Sequence, residues 1–285
     1  MERVKNILVA LDLSALDNHL IDYSSYLAEK LDVGNVYFIH NIKKYEFSEL
    51  FEEQVDQVNL DQILGDELNE KIENRFTANT NWEVLISEDS NTESLINYIA
   101  NKYQINLTLV GNKHPSKGTG VVTSKLLRLL KSSILSIPEN AVFPINKIWV
   151  GTDFSNPSRK SFVFIEELRQ RVKARLSAVH FYRIPVRFSP QENREEAIEK
   201  VRKHLQQKST KFLSKIPVAT PDETAIAYTK DKSIGQKFIV EIEKQQPDLV
   251  VVSDKGNNNI SSLLIGSLTE ELFNEYTKTA LLVVK

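Results

Sequence analysis

Residues 6–14, Asn-Ile-Leu-Val-Ala-Leu-Asp-Leu-Ser, return at 147–155 as Lys-Ile-Trp-Val-Gly-Thr-Asp-Phe-Ser. A chain written twice folds as two copies of one architecture, so the repeat sets the domain boundary and one secondary-structure register for both halves. The offset holds along the chain. Asp12 to Asp153 and Ser14 to Ser155 are 141 apart, His40 to His180 is 140, and Leu109-Val110-Gly111-Asn112-Lys113 answers Val251-Val252-Ser253-Asp254-Lys255 at 142. A repeat of this length is too long for a solenoid unit and fits a domain. The segment from Pro138 to Pro144 is bracketed by prolines and runs straight into the second copy of the first strand, which gives domains of 1–144 and 145–285.

Within each half, short apolar runs alternate with longer amphipathic segments, the pattern of parallel strands joined by crossover helices. Strands are predicted at 4–11, 35–40, 82–86, 106–111 and 133–137, then at 147–152, 176–181, 224–228, 248–253 and 280–284. Helices are predicted at 15–31, 46–75, 92–103 and 123–132, then at 157–173, 190–214, 233–244 and 267–275. Runs such as Asp-Leu-Val-Val-Val-Ser at 248–253 are apolar on both faces, as in a sheet covered by helices on each side.

A net charge of -2 supplies no basic field, which argues against nucleic acid or an anionic membrane as the main partner. No cysteine is present, so disulfides, thiolate zinc and cysteine nucleophiles are excluded. No apolar run approaches the roughly 18 residues of a membrane span. The expectation is a soluble, cytoplasmic chain.

In an open parallel sheet, ligands bind beyond the carboxyl ends of the strands where strand order reverses. The repeated Asp-x-Ser stands at the end of the first strand in both halves. Asp153 suits ribose hydroxyls or an adenine amino group, and Ser155 suits a helix cap ahead of Pro157; the plainer alternative is a strand-to-helix turn with no ligand. After the fourth strand of the second half comes Ser253-Asp-Lys-Gly256, then nine residues, then Gly266-Ser267 at a helix start. Glycines there let backbone approach a ligand closely, and the free amides of the helix start favour a phosphate.

Thr-Asp-x-Ser together with Gly-x-x-Gly-x9-Gly-Ser/Thr resembles the ATP-binding pattern of the universal stress protein family, and the chain resembles a tandem, two-domain member. The resemblance implies an α/β fold of two Rossmann-like domains, each a five-stranded parallel sheet of order 3-2-1-4-5 flanked by helices. It also implies that the fifth strands pair to form an internal pseudo-dimer, with a homodimer as a further expectation. By position, Thr152 and Asp153 meet adenosine, Phe181 and Val252 lie beside the base, and Gly256, Gly266, Ser267 and Leu268 cradle the phosphates of ATP, with or without Mg²⁺. Ser253 departs from the family's first glycine, which weakens the site if that position needs a positive φ.

The first half departs further: Gly111 is kept, His114 replaces the second glycine, and no Gly-Ser opens its last helix. No nucleotide is expected there, and Lys117-Gly118-Thr119-Gly120 reads as a solvent loop. His40 and His180 read as packed side chains bonded to neighbouring backbone. No metal spacing and no dedicated catalytic base are visible, which leaves any hydrolysis slow. Two functions remain open: a stress-response regulator that binds an adenine nucleotide in its C-terminal domain, or a protein-interaction module whose glycine loop is a relic and whose protein partner is unknown.

Overall fold

The computed structural model describes residues 3–43, 59–113, 121–184, 194–230, 232–256, 266–275 and 278–285, with the side chains of 121–124 and 194 excepted. The chain divides into two compact units, the first closing at Glu139 and the second opening at Asn140, within the proline-bracketed segment.

The first unit runs β1 (Asn6–Leu11), α1 (Leu16–Leu31), β2 (Asn35–Ile42), α2 (Leu60–Glu73), β3 (Asn81–Glu88), α3 (Thr92–Lys102), β4 (Leu107–Asn112), α4 (Val121–Leu129) and β5 (Ser133–Pro138). The second runs β6 (Lys147–Gly151), α5 (Asn156–Val172), β7 (Arg175–Tyr182), α6 (Arg194–Leu213), β8 (Glu223–Tyr228), α7 (Ile234–Gln245), β9 (Leu249–Ser253), α8 (Ser267–Asn274) and β10 (Ala280–Val284). The helix predicted at 46–75 is seen from Leu60. Its residues 46–58 and the loop Lys117–Gly120 lie outside the described residues.

All strand pairs within a unit are parallel, in the orders β3-β2-β1-β4-β5 and β8-β7-β6-β9-β10. Each order is 3-2-1-4-5 counted within its own unit. Central strands are apolar on both faces because helices cover both sides; Ile7, Leu8 and Val9 are fully buried, as are Ile148 and Val150.

The duplication reaches the backbone dihedrals. Among the described residues, three non-glycine positions of the first unit have left-handed φ, Leu13 at 61°, Asp32 at 51° and Gln104 at 51°. Their counterparts Phe154, Lys173 and Gln246 have φ of 57°, 57° and 48°. Asp32, Lys173 and Gln246 terminate α1, α5 and α7, each donating its N–H back to a helix carbonyl. Leu13 and Phe154 are the middle residues of Asp-x-Ser, where the left-handed turn costs roughly 1–2 kcal/mol. Packing offsets it: Phe154 is buried, 4.8 Å from the His180 ring and 5.8 Å from that of Phe212.

In each sheet the first strand parts from the fourth before it parts from the second. The β1–β4 register ends at Val9↔Leu109, whereas β1–β2 continues to Leu11↔His40. In the second unit β6–β9 ends at Val150↔Val251. Beyond these points the strands diverge and a crevice opens at the switch in strand order.

Candidate functional site

In the second unit this crevice is a cleft of about 280 Å³ lined by Gly151, Thr152, Asp153, Ser158, His180, Phe181, Ile234, Phe238, Val252, Ser253, Lys255, Gly256, Gly266, Ser267, Leu268 and Thr269. All nine residues selected from the sequence line this one space.

At the end of β6 the Thr152 N–H still bonds the Val179 carbonyl, 3.0 Å, so the strand holds its pairing up to the turn. The Thr152 hydroxyl is spent on the turn itself. It accepts from the Phe154 N–H at 3.0 Å and lies 2.9 Å from Ser158 Oγ, which donates to the Ser155 carbonyl at 2.9 Å. Asp153 Oδ1 accepts from the Ser155 N–H at 3.0 Å, which turns the carboxylate so that Oδ2 stands 3.4 Å from where a Cβ on Gly256 would sit. Ser155 corrects an expectation. It occupies the N-cap of α5 but makes no side-chain cap bond, and its buried hydroxyl has no partner among the described residues. Pro157 has no N–H at the second helical position to donate to it.

The opposite wall is the β9–α8 connection. The Gly266 N–H bonds the Asp254 carbonyl at 2.7 Å and the Thr269 hydroxyl bonds the Ser253 carbonyl at 2.7 Å, so the helix start is clipped to the strand end. Ser253 has no left-handed φ, so serine carries no backbone strain there. Its hydroxyl donates to the Lys255 carbonyl at 2.7 Å and braces the loop. The backbone does not demand glycine at 266 either. Its φ is -63°, and an added Cβ would meet Gly256 N no closer than 3.5 Å. A Cβ at 266 would also stand 3.6 Å from the Asp254 carbonyl oxygen and 3.7 Å from Thr269 Oγ1, so a larger side chain would crowd the clip.

Phe181 and Phe238 meet edge to face at 4.8 Å and form the apolar floor, with Val252 buried beside them. His180 closes β7, and its Nδ1 lies 2.7 Å from the Thr152 carbonyl. A carbonyl only accepts, so Nδ1 carries the proton. Burial pushes the imidazole below its usual pKa, which keeps the ring neutral and leaves Nε2 an acceptor.

The expectation of a packed His180 agrees with its bond to Thr152, and the pattern of residues does not single out Ile234, Phe238 or Lys255 as cleft residues. Lys208, on α6, also reaches the site, its Nζ donating to the Asp153 carbonyl at 3.0 Å. Lys255 is the one of these with a local signal, since it directly precedes Gly256. Among the described residues no group of three histidine and carboxylate side chains is placed to hold a metal ion, and no helix is long and apolar enough to cross a membrane.

The model of the universal stress protein family matches residues 144–285, the half that carries this cleft. The chain belongs to the universal stress protein family. Both halves share the fold of solved structures. A universal stress protein from Archaeoglobus fulgidus DSM 4304 superposes with TM-score 0.67 at 14% identity, covering 100% of this chain and 99% of that one. A functionally unknown protein from Pseudomonas aeruginosa PAO1 does so with TM-score 0.67 at 13% identity, covering 99% and 92%. No curated protein matches the sequence.

The other half of this universal stress protein keeps the position of the cleft and changes its contents. A space of about 710 Å³ is lined by residues that include Asp12, Ile39, His40, Asn41, Lys43, Leu60, Leu64, Thr92, Ile96, Val110, Gly111 and Leu126. Asp12 is ion-paired with Lys113. Burial pushes its carboxyl up, but the bonds from Lys113 and Ser14 outweigh burial and hold it below the usual carboxylate range. Gly111 has a packing role: a Cβ there would stand 2.6 Å from Leu16 Cδ2. His40 repeats His180, with Nδ1 3.2 Å from the Leu11 carbonyl and its pKa lowered by burial.

Proposed function

We propose that the C-terminal domain of this universal stress protein binds an adenine nucleotide, ATP or a close relative, and that the chain is a nucleotide-responsive regulator of the stress response. The observation that carries this reading is the Gly266–Asp254 clip, which sets the free amides at the start of α8 against the cleft opposite the Asp153 carboxylate.

The assignment of roles follows from chemistry. The Asp153 carboxylate accepts from ribose hydroxyls, and His180 Nε2 offers a neutral acceptor beside it. Phe181, Phe238 and Val252 supply an apolar bed for the base. Gly256 leaves room for a phosphate oxygen, and the N–H groups of Ser267 and Leu268, with the Ser267 hydroxyl, donate to phosphate at the positive end of the helix. Lys255 adds a cation at the same mouth. The volume of about 280 Å³ lies just below the usual range for small-molecule sites, roughly 300–1,000 Å³, which suits a nucleoside inside with phosphates at the rim. Mg²⁺, where present, neutralises phosphate charge and keeps most of its own water.

Calorimetric titration of ATP, ADP and AMP, with and without Mg²⁺, tests this on the full chain and on Gly266→Val. Binding to the wild type that the valine abolishes supports the reading. Absence of heat with every nucleotide leaves the protein-interaction function in its place.

A further inference from the structure

The N-terminal cleft is a copy of the nucleotide cleft with its aromatic floor removed. Asn41 stands at the position of Phe181, and Ile96 at that of Phe238, four residues into the corresponding helix. Two aromatic rings are lost, and the space, which also reaches Leu60 and Leu64 on α2, measures about 710 Å³ where the C-terminal copy has about 280 Å³. The enlarged space falls within the size of sites that enclose a small organic molecule, roughly 300–1,000 Å³.

Its chemistry differs as well. Leu64 on α2, Ile96 on α3 and Leu126 on α4 wall it with aliphatic groups. The carboxylate that would select a ribose is neutralised by Lys113. Glu93, at the first turn of α3, is paired with Lys125 and lies in the field of Lys43 at the rim. Asn41 is turned inward: both its N–H groups are donated, to the Asp89 carbonyl at 2.9 Å and to Thr92 Oγ1 at 2.7 Å, and its oxygen accepts from the Asp89 N–H at 2.8 Å. Among the described residues, two neutral polar functions are left for a ligand. His40, with Nδ1 on the Leu11 carbonyl, presents Nε2 as an acceptor, and Thr92, whose oxygen already accepts from Asn41, presents its hydroxyl proton.

We infer that the N-terminal cleft is a second ligand site, for an uncharged, largely apolar small molecule that donates one hydrogen bond to His40. A nucleotide is unsuited to it, because the acid is occupied and a buried phosphate would have no matching cradle. The inference stands whether or not the C-terminal domain binds ATP.

The test uses two fluorescent probes of one skeleton on the full chain. N-phenyl-1-naphthylamine is uncharged and carries a single N–H donor; 8-anilino-1-naphthalenesulfonate adds an anionic group. The expected result is saturable binding of the neutral probe at one site per chain, unaffected by excess ATP, with the sulfonate weaker by about tenfold or more, the cost of burying an unmatched charge. Ile96→Phe, which installs the residue of the C-terminal copy, and Leu64→Trp, on the half-buried wall, should each weaken the neutral probe about tenfold or more with the far-ultraviolet circular dichroism unchanged. Failure of the neutral probe to saturate, equal or tighter binding of the sulfonate, displacement by ATP, or unchanged binding in folded forms of both variants overturns the inference. The wild-type comparisons decide it even if either substitution disturbs folding.

Discussion

Lys113 and Asp12 form an ion pair at the mouth of the N-terminal cleft, in the positions that Lys255 and Asp153 hold in the C-terminal one. The pair uses the N-terminal copy's nucleotide-type carboxylate within the protein. Removing the lysine should therefore release the acid without creating a nucleotide site, since the glycine cradle is also missing. Lys113→Ala is expected to leave ATP stoichiometry in calorimetry unchanged, and a second ATP site in that variant would contradict this account.

Asp17 supplies a pH-dependent term. Its carboxylate accepts from the N–H groups of Asp12 at 3.2 Å and Leu13 at 2.7 Å, yet the side chain is fully buried. Burial outweighs those bonds and, with the nearby Asp12 charge, lifts its pKa from 3.8 to about 6. Between these values the folded chain holds a proton that the unfolded chain has released. Stability from this residue is therefore full below the unfolded value and falls as pH rises to about 6, by on the order of 3 kcal/mol. Urea unfolding from pH 4 to 7 should show the difference between wild type and Asp17→Asn changing in that direction. A constant difference would show that Asp17 titrates normally.

Each copy ties its last helix to the preceding one through an acid, from opposite sides. Glu93 on α3 reaches Lys125 on α4, whereas in the second unit Glu271 on α8 reaches back to α7, accepting from the Ser233 hydroxyl at 2.6 Å. Gly235, the counterpart of Glu93, makes room for it: a Cβ there would lie 2.1 Å from Glu271 Cδ. Gly235→Ala should displace Glu271 and lose a charge-assisted bond worth about 1.5–3 kcal/mol, offset by roughly 1 kcal/mol of helix propensity. In the Glu271→Ala background the same alanine should be neutral or stabilising. A denaturation double-mutant cycle with additive effects would contradict the contact.

Ser253 stands where the family pattern has glycine, but its backbone is not left-handed and its hydroxyl braces Lys255. Ser253→Gly should lose that bond and loosen the loop, at roughly 1–2 kcal/mol together. ATP affinity measured by calorimetry is expected to fall several-fold; a gain would mean that the serine obstructs the phosphates.

The strands were legible because a sheet covered on both faces needs apolar runs, and because the duplication fixes their register twice. Asp153 and the Gly256–Gly266 spacing were legible because strand ends and helix starts impose residue types locally. Ile234 and Phe238 were not, since they look like ordinary sheet-covering residues and only the packing of α7 turns them into the cleft. Lys208 was hidden in a charged helix for the same reason. Gly111 was legible as a kept glycine but for the wrong cause, because the requirement comes from Leu16, which is distant in sequence. The φ of Ser253 is a tertiary property that no local pattern carries.

The asymmetry between the two clefts is tested most directly by equilibrium dialysis with radiolabelled ATP, counting nucleotides bound per chain in the wild type, Asp153→Ala and Asp12→Ala. One nucleotide per wild-type chain, lost in Asp153→Ala and retained in Asp12→Ala, is the predicted result. Two nucleotides per chain, none, or loss in Asp12→Ala with retention in Asp153→Ala would contradict it.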